Sequence, residues 1–218
     1  MHSPRSFLHL LLDAVFPRRT DIAQLEAQSA RDLANTLPPA PHHPTKYIES
    51  VFAYRHPDVK RIVWEIKYQG NPKLAETMAA CMHERLLPKL SDDMLVTNTR
   101  HLLIVPIPMS RTRRTERGFN QAQILARKLH TTNPRIYTGV CNILSRTRET
   151  TPQTDVPHRQ ARITNMKNVF AIQKPDRVTG HDVLVVDDVT TTGATLRDAR
   201  RALKAAGART VQAVTVAH

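Results

Sequence analysis

The stretch that most constrains this chain runs from Val183 to Thr195, Val-Leu-Val-Val-Asp-Asp-Val-Thr-Thr-Thr-Gly-Ala-Thr. Val183 to Val186 is an apolar run too short for a helix and too apolar for an exposed edge, so it predicts a buried parallel strand. The carboxylates of Asp187 and Asp188 then fall at its C-terminal tip, and in open α/β sheets ligands bind beyond that tip. Thr190, Thr191, Thr192, Gly193, Ala194 and Thr195 follow as a loop of backbone N–H groups and hydroxyls around one conformationally permissive residue. A helix comes next, with Leu196, Ala199, Leu203 and Ala206 on one face and Gly207 as its C′ residue, so its positive end adds to an anion site.

An acid pair ahead of a phosphate cradle suits a phosphorylated sugar: carboxylates accept hydrogen bonds from vicinal hydroxyls while the loop takes the phosphate. A plain strand, turn and helix is the bland alternative. A receiver domain begins with a similar run, but only 30 residues follow Asp188, too few for the rest of that fold. No Gly-x-x-x-x-Gly-Lys-Ser/Thr pattern is present.

The thirteen residues resemble, position for position, the phosphoribosyl pyrophosphate (PRPP) motif of type I phosphoribosyltransferases. That resemblance implies an α/β, mostly parallel sheet flanked by helices. It implies that Asp187 and Asp188 hold the ribose hydroxyls and act at the reaction centre, and that Thr190 to Thr195 hold the 5′-phosphate.

The chain has 218 residues, enough for one substantial α/β domain with an appendage. We expect a helical segment and Pro-rich linker over 1–45, a further N-terminal region over 46–91 and the phosphoribosyltransferase-like domain over 92–218. Cys81 and Cys141 stand alone, without metal spacing, and fit a reducing cytoplasm. The apolar run Phe7 to Leu12 is too short to span a bilayer, so no stable membrane insertion is expected. The formal charge is +13, and within Arg111 to Arg177 there are 14 basic residues against four acidic ones. A polyanionic partner, pyrophosphate, nucleic acid or both, accounts for this excess; so does a solvated basic face.

In chain order, a helical pattern covers Asp21 to Leu37 and ends at Pro38, Pro39, Pro41 and Pro44, with His42 and His43 read as linker surface. Tyr47 to Tyr54 predicts a short strand, Val59 to Tyr68 a short helix closed by Gly70, and Lys73 to Leu87 a longer one with Cys81 as a core thiol. Ser91, Asp92 and Asp93 mark a break. Leu102 to Pro108 is a second apolar strand ended by prolines. Arg111, Arg113, Arg114 and Arg117 form a loop at its tip, where guanidinium forks could grip pyrophosphate or nucleic acid. Gly118 to Gln121 leads into a helix to Leu129, and Thr210 to Val216 is a final strand.

Val105-Pro106-Ile107-Pro108, the arginine cluster and Arg117-Gly118-Phe119-Asn120-Gln121 resemble the signature of the ComF family, phosphoribosyltransferase-like proteins linked with bacterial competence and DNA uptake. Leu144, Arg146, Arg148, Thr150, Pro152, Gln153, Thr154, Arg162, Asn165 and Val169-Phe170 continue the likeness, and Lys67, Tyr68 and Gly70 echo a Lys-Tyr-x-Gly element. Many relatives carry a cysteine-rich zinc module near the N-terminus. Here Phe16-Pro17-Arg18-Arg19 is followed by Thr20 and no cysteines, so no zinc is expected.

The resemblance implies binding of PRPP with Mg²⁺, which bridges pyrophosphate and ribose oxygens, with Asp187 or Asp188 near the ion. Arg111, Arg113, Arg114, Arg117, Arg146 and Arg148 would contact pyrophosphate or nucleic acid. Partners would include single-stranded DNA and uptake or recombination proteins. An inactive basic module binding single-stranded DNA is one alternative, and a nucleotide-salvage phosphoribosyltransferase is another. Phe119, Tyr137 and Phe170 are the only aromatic residues in the basic stretch that offer stacking, which argues for phosphate contacts over stacking.

Overall fold

The computed structural model describes residues 20–97, 101–147 and 169–218, with side chains described for 21–90, 101–147 and 169–218. Its elements are α1 (Thr20–Ala27), α2 (Ala30–Thr36), β1 (Ile48–Phe52), α3 (Pro57–Trp64), α4 (Pro72–Thr97), β2 (Leu102–Pro106), α5 (Arg111–Arg117), α6 (Gln121–Thr132) and β3 (Tyr137–Val140). They continue with β4 (Leu144–Arg146), β5 (Phe170–Ile172), β6 (Asp182–Val189), α7 (Ala194–Ala205) and β7 (Thr210–Ala217). Five strands make one parallel sheet in the order β1-β7-β6-β2-β3, and β4 pairs with β5 as a separate antiparallel ribbon.

β6 is the middle strand, with register Leu102↔Asp182 to Pro106↔Val186 on one side and Asp182↔Thr210 to Val189↔Ala217 on the other. Side chains alternate faces along a strand. Leu184 and Val186 enter one core with Ile104, Leu125, Leu129 and the apolar face of α4. Val183 and Val185 enter a second core with Val105, Leu196, Ala199 and Leu203. All four are fully buried, as the unbroken apolar run requires of a strand covered on both sides.

After β2 and the short, unburied α5, α6 packs in the first core, and the helix after β6, α7, packs in the second. Because β2 and β6 are neighbours, the chain leaves them toward opposite faces and a crevice opens beyond their C-terminal ends. Fold class and the location of the acid pair were thus both readable from the apolar runs.

Three expectations need correction. The helical pattern over Asp21 to Leu37 is two helices, because Ser29 starts a new one. Its Oγ accepts the Asp32 N–H at 3.2 Å while Asp32 Oδ2 accepts the Ser29 N–H at 3.1 Å, a capping box. The break at Ser91 to Asp93 lies inside α4, which runs to Thr97 and carries Pro88 within it. Serine and aspartate cost only a few tenths of a kcal/mol in a helix interior, about too little to end one without a true stop signal. A boundary at 91/92 therefore cuts an element, and the region before it supplies β1, an edge strand of the same sheet. Finally, Arg111 to Arg117 is not a loop. Ser110 caps it as a helix, its Oγ accepting the Arg113 N–H at 3.4 Å, and Gly118 ends it at φ 78°.

Candidate phosphoribosyl site

Asp187 and Asp188 are consecutive, so the strand would send them to opposite faces, yet they act as one unit. Asp187 Oδ1 accepts the Asp188 N–H at 2.9 Å, and Asp188 Oδ2 is 2.9 Å from the ammonium of Lys67. Burial and then the neighbouring Asp188 charge push Asp187 well above the usual carboxylate range. Burial acts in the same direction on Asp188, but Lys67 and hydrogen bonds outweigh it and hold Asp188 below that range. Burial likewise opposes the charge on Lys67, and Asp188 overcomes it, keeping the lysine protonated. The two shifts run in opposite directions, so within the pair Asp187 is the more readily protonated carboxyl and Asp188, beside Lys67, the more readily ionised one.

Lys67 arrives through a π-helical turn, Glu65–Gln69, that follows α3 directly. Gly70 closes the turn at φ 62°, and a Cβ there would meet the Phe119 ring at 3.2 Å. Such wide turns often mark functional sites. Here the turn packs the Lys67-Tyr68-x-Gly70 element against Gly118-Phe119, two stretches that the sequence presents separately.

The loop after β6 directs its carbonyls toward protein partners. Thr191 O accepts from His218 Nε2 at 3.0 Å, and Thr192 O accepts from Arg197 Nη1 at 2.6 Å. The Thr190 N–H donates to Ala217 O at 3.0 Å and the Ala194 N–H to Thr192 Oγ1 at 3.3 Å. Among the described residues nothing accepts from the N–H groups of Thr191, Thr192 and Gly193. Gly193, at φ 71°, is the N-cap of α7, whose helix N-terminus adds to the positive potential. Consecutive free amides at a helix start form an anion nest.

The arginines diverge. Arg111, Arg114 and Arg146 line a cavity of about 560 Å³ together with Asn120, Gln123 and Ser145. Arg146 Nε donates to Pro108 O at 2.9 Å, and its guanidinium stacks 5.3 Å from the Phe170 centroid. Burial lowers its pKa, while Asp187 counteracts and Arg113 adds to the effect. Arg117 turns the other way and lies 4.4 Å over the Tyr68 ring, which in turn meets Trp64 at 5.3 Å. Arg148 lies outside the described residues.

Lys67, His43 and His218 were not recognisable as site residues from sequence. Lys67 sat on the polar side of a helical pattern, and only its place in Lys-Tyr-x-Gly set it apart. His43 is no free linker residue: its Nδ1 accepts the Thr45 N–H at 3.0 Å and its ring lies 4.9 Å from that of His218, against Gly193. No group of three or more His, Cys, Asp or Glu side chains suited to a metal occurs among the described residues.

The family model described as the phosphoribosyl transferase domain matches residues 114–218. The DNA utilization protein YhgH of Salmonella typhi is 30% identical over 172 residues, 78% of this chain and 70% of that protein. Competence protein ComFC of Bacillus subtilis is 31% identical over 104 residues, 48% of this chain and 39% of that protein. Among solved structures, a Trypanosoma cruzi hypoxanthine phosphoribosyl transferase overlaps with a TM-score of 0.36 at 16% identity, over 72% of this chain and 64% of that one, too slight a likeness to carry an argument. The match to YhgH extends over more than two thirds of both proteins, and the chain belongs to the ComF family of competence-associated, phosphoribosyltransferase-like proteins.

Proposed function

We propose that this chain binds PRPP, with Mg²⁺ carried on the ligand's own oxygens, and that it serves DNA uptake or DNA processing. The observation that carries this reading is the acid pair at the C-terminal end of β6, followed directly by the loop whose Thr191 to Gly193 amides meet no acceptor among the described residues, while the Arg146-lined cavity opens at the C-terminal end of the neighbouring strand β2. Asp187 and Asp188 would accept from the ribose hydroxyls, and the loop would take the 5′-phosphate. Arg111, Arg114 and Arg146 would hold the pyrophosphate. Mg²⁺ would neutralise charge on the departing pyrophosphate. The arginines would add to that stabilisation, and the Asp188 carboxylate would face positive charge developing at the anomeric carbon.

Calorimetry of PRPP with Mg²⁺ tests the reading. Binding should occur in the native chain and vanish in the Asp187→Asn, Asp188→Asn double variant with its fold intact; unchanged affinity in that variant would refute the site. Pyrophosphate release on adding a nucleobase would favour nucleotide salvage instead.

Single-stranded DNA is a second partner, favoured by the Trp64, Tyr68 and Arg117 stack. Tyr68 is the one large apolar side chain counted as exposed among the described residues, at 38%. It lies outside Arg111 to Arg177, so stacking has more to work with than that stretch alone suggested. The names of the relatives, DNA utilization protein YhgH and competence protein ComFC, agree with a role in DNA utilization or competence. No helix among the described residues is long and apolar enough to cross a membrane. Cys81 and Cys141 are free and buried, and burial pushes the Cys81 thiol up to about 12, in keeping with inert core thiols in a reducing cytoplasm.

A further inference from the structure

We propose that Lys67 is a resident cation of the sugar subsite, so that this chain binds 5-phosphoribosyl ligands lacking pyrophosphate, such as ribose 5-phosphate, without a divalent ion. The inference rests on the reading that Thr190 to Thr195 hold a 5′-phosphate.

A ligand with pyrophosphate brings a chelating set of oxygens and can carry Mg²⁺ into the site; ribose 5-phosphate cannot do so at its anomeric end. The site must then neutralise Asp188 by itself. Lys67 meets that need, 2.9 Å from Asp188 Oδ2, with side chains only 23% and 7% exposed. An ammonium has three N–H donors, and one suffices for Asp188. The remaining donors are available to a sugar hydroxyl bridging the two residues.

The position of Lys67 is fixed by the fold. The π-turn that carries it is closed by the left-handed Gly70, and Phe119 fills the space beside that glycine. A long lysine stem on a free surface would be costly to order; one set in a packed turn has lost that freedom before the ligand arrives. Lys67 also lies outside residues 114–218, the part that matches the phosphoribosyl transferase domain. The cation is thus supplied by a segment that precedes the matched residues in the chain but shares their sheet and core.

Calorimetry with ribose 5-phosphate, in excess EDTA and then in Mg²⁺, tests the inference on the native chain, Lys67→Met and Lys67→Arg. The native chain should bind equally in both conditions. Lys67→Met should lose about tenfold or more in EDTA, the scale of one hydrogen bond to a charged group, and recover with Mg²⁺. Lys67→Arg should keep most of its metal-free affinity, and it preserves the test if Lys67→Met does not fold. Native binding that appears only with Mg²⁺ would overturn the inference while leaving PRPP binding intact. Absence of binding by both ribose 5-phosphate and PRPP under every condition would overturn both.

Discussion

Gly193 and His43 approach so closely that no side chain fits between them: a Cβ on Gly193 would lie 2.9 Å from His43 Cε1 and equally near Ile48 Cδ1. The backbone there has φ 71°, where an L-residue is strained even without neighbours. Gly193→Ala should destabilise the chain by about 1–2 kcal/mol from the left-handed conformation alone, and by more if His43 cannot move. Urea unfolding measures the loss. His43→Ala in the same background should recover part of it, and strictly additive effects would show that the contact does not matter.

Asp198 ties the β4–β5 ribbon to α7. Its carboxylate is buried, Oδ2 accepts the N–H groups of Val169 at 2.8 Å and Phe170 at 3.1 Å, and Oδ1 accepts from Arg201. Asp198→Ala leaves two buried donors without this acceptor and should cost about 2–3 kcal/mol in urea unfolding. Proteolysis near residue 169 should accelerate in the same variant. A loss below about 0.5 kcal/mol, the range of a neutral surface change, would contradict this role.

How far the sequence could be read depended on whether a feature is local. The run Val183 to Val186 and the loop to Thr195 fix strand, tip and helix by their own period, and β2 and α7 were legible for the same reason. Contacts that join distant segments left no local trace. His43 and Gly193 are separated by 150 residues, and nothing in the spacing of His42 and His43 tells a packed imidazole from a solvated one. The π-turn is invisible to a 3.6-residue pattern, because one extra residue in the turn shifts Lys67 without altering the apolar positions before it. The arginine cluster misled in another way: its charge suggested one grip, while Ser110 and Gly118 cap it as a helix that sends Arg114 and Arg117 to different neighbours.

Stability should carry a signature of His43 in mildly acidic solution. Burial, and after it the positive charge of His218, lower its pKa from the ordinary 6.5; Arg197 acts in the same direction, and Tyr47 and Arg200 also face this region. Between 6.5 and the lower folded value the unfolded chain binds a proton that the folded chain does not. His43 therefore contributes stability that is fully present above that window and lost as pH falls through it. Asp187, raised in the fold, acts with the opposite sign, so the native chain alone does not isolate the effect. The difference in unfolding free energy between native and His43→Asn chains does. It should shift in favour of His43→Asn as pH falls from 7 toward 5, whereas a flat difference would remove His43 from the account.

Tyr68 and Arg114 should affect single-stranded DNA binding in distinguishable ways. Tyr68 lies tilted against Trp64 and is covered on one side by Arg117, which leaves an exposed ring beside a guanidinium. Stacking on such a ring is worth about 1–3 kcal/mol per base and depends little on salt. Tyr68→Ala should weaken binding by that amount at every ionic strength, with an unchanged slope of log K against log salt. Arg114 is exposed on α5 and, apart from its place at the cavity rim, is free to meet a phosphate. Arg114→Ala should reduce the salt slope by about 0.7, the counterion released per contact with a single strand. Fluorescence anisotropy with a labelled oligonucleotide across a salt series separates the two terms. If Tyr68→Ala changed only the slope, the ring would not stack on bases, and the nucleic-acid face would have to be sought along Arg111 and Arg114 alone.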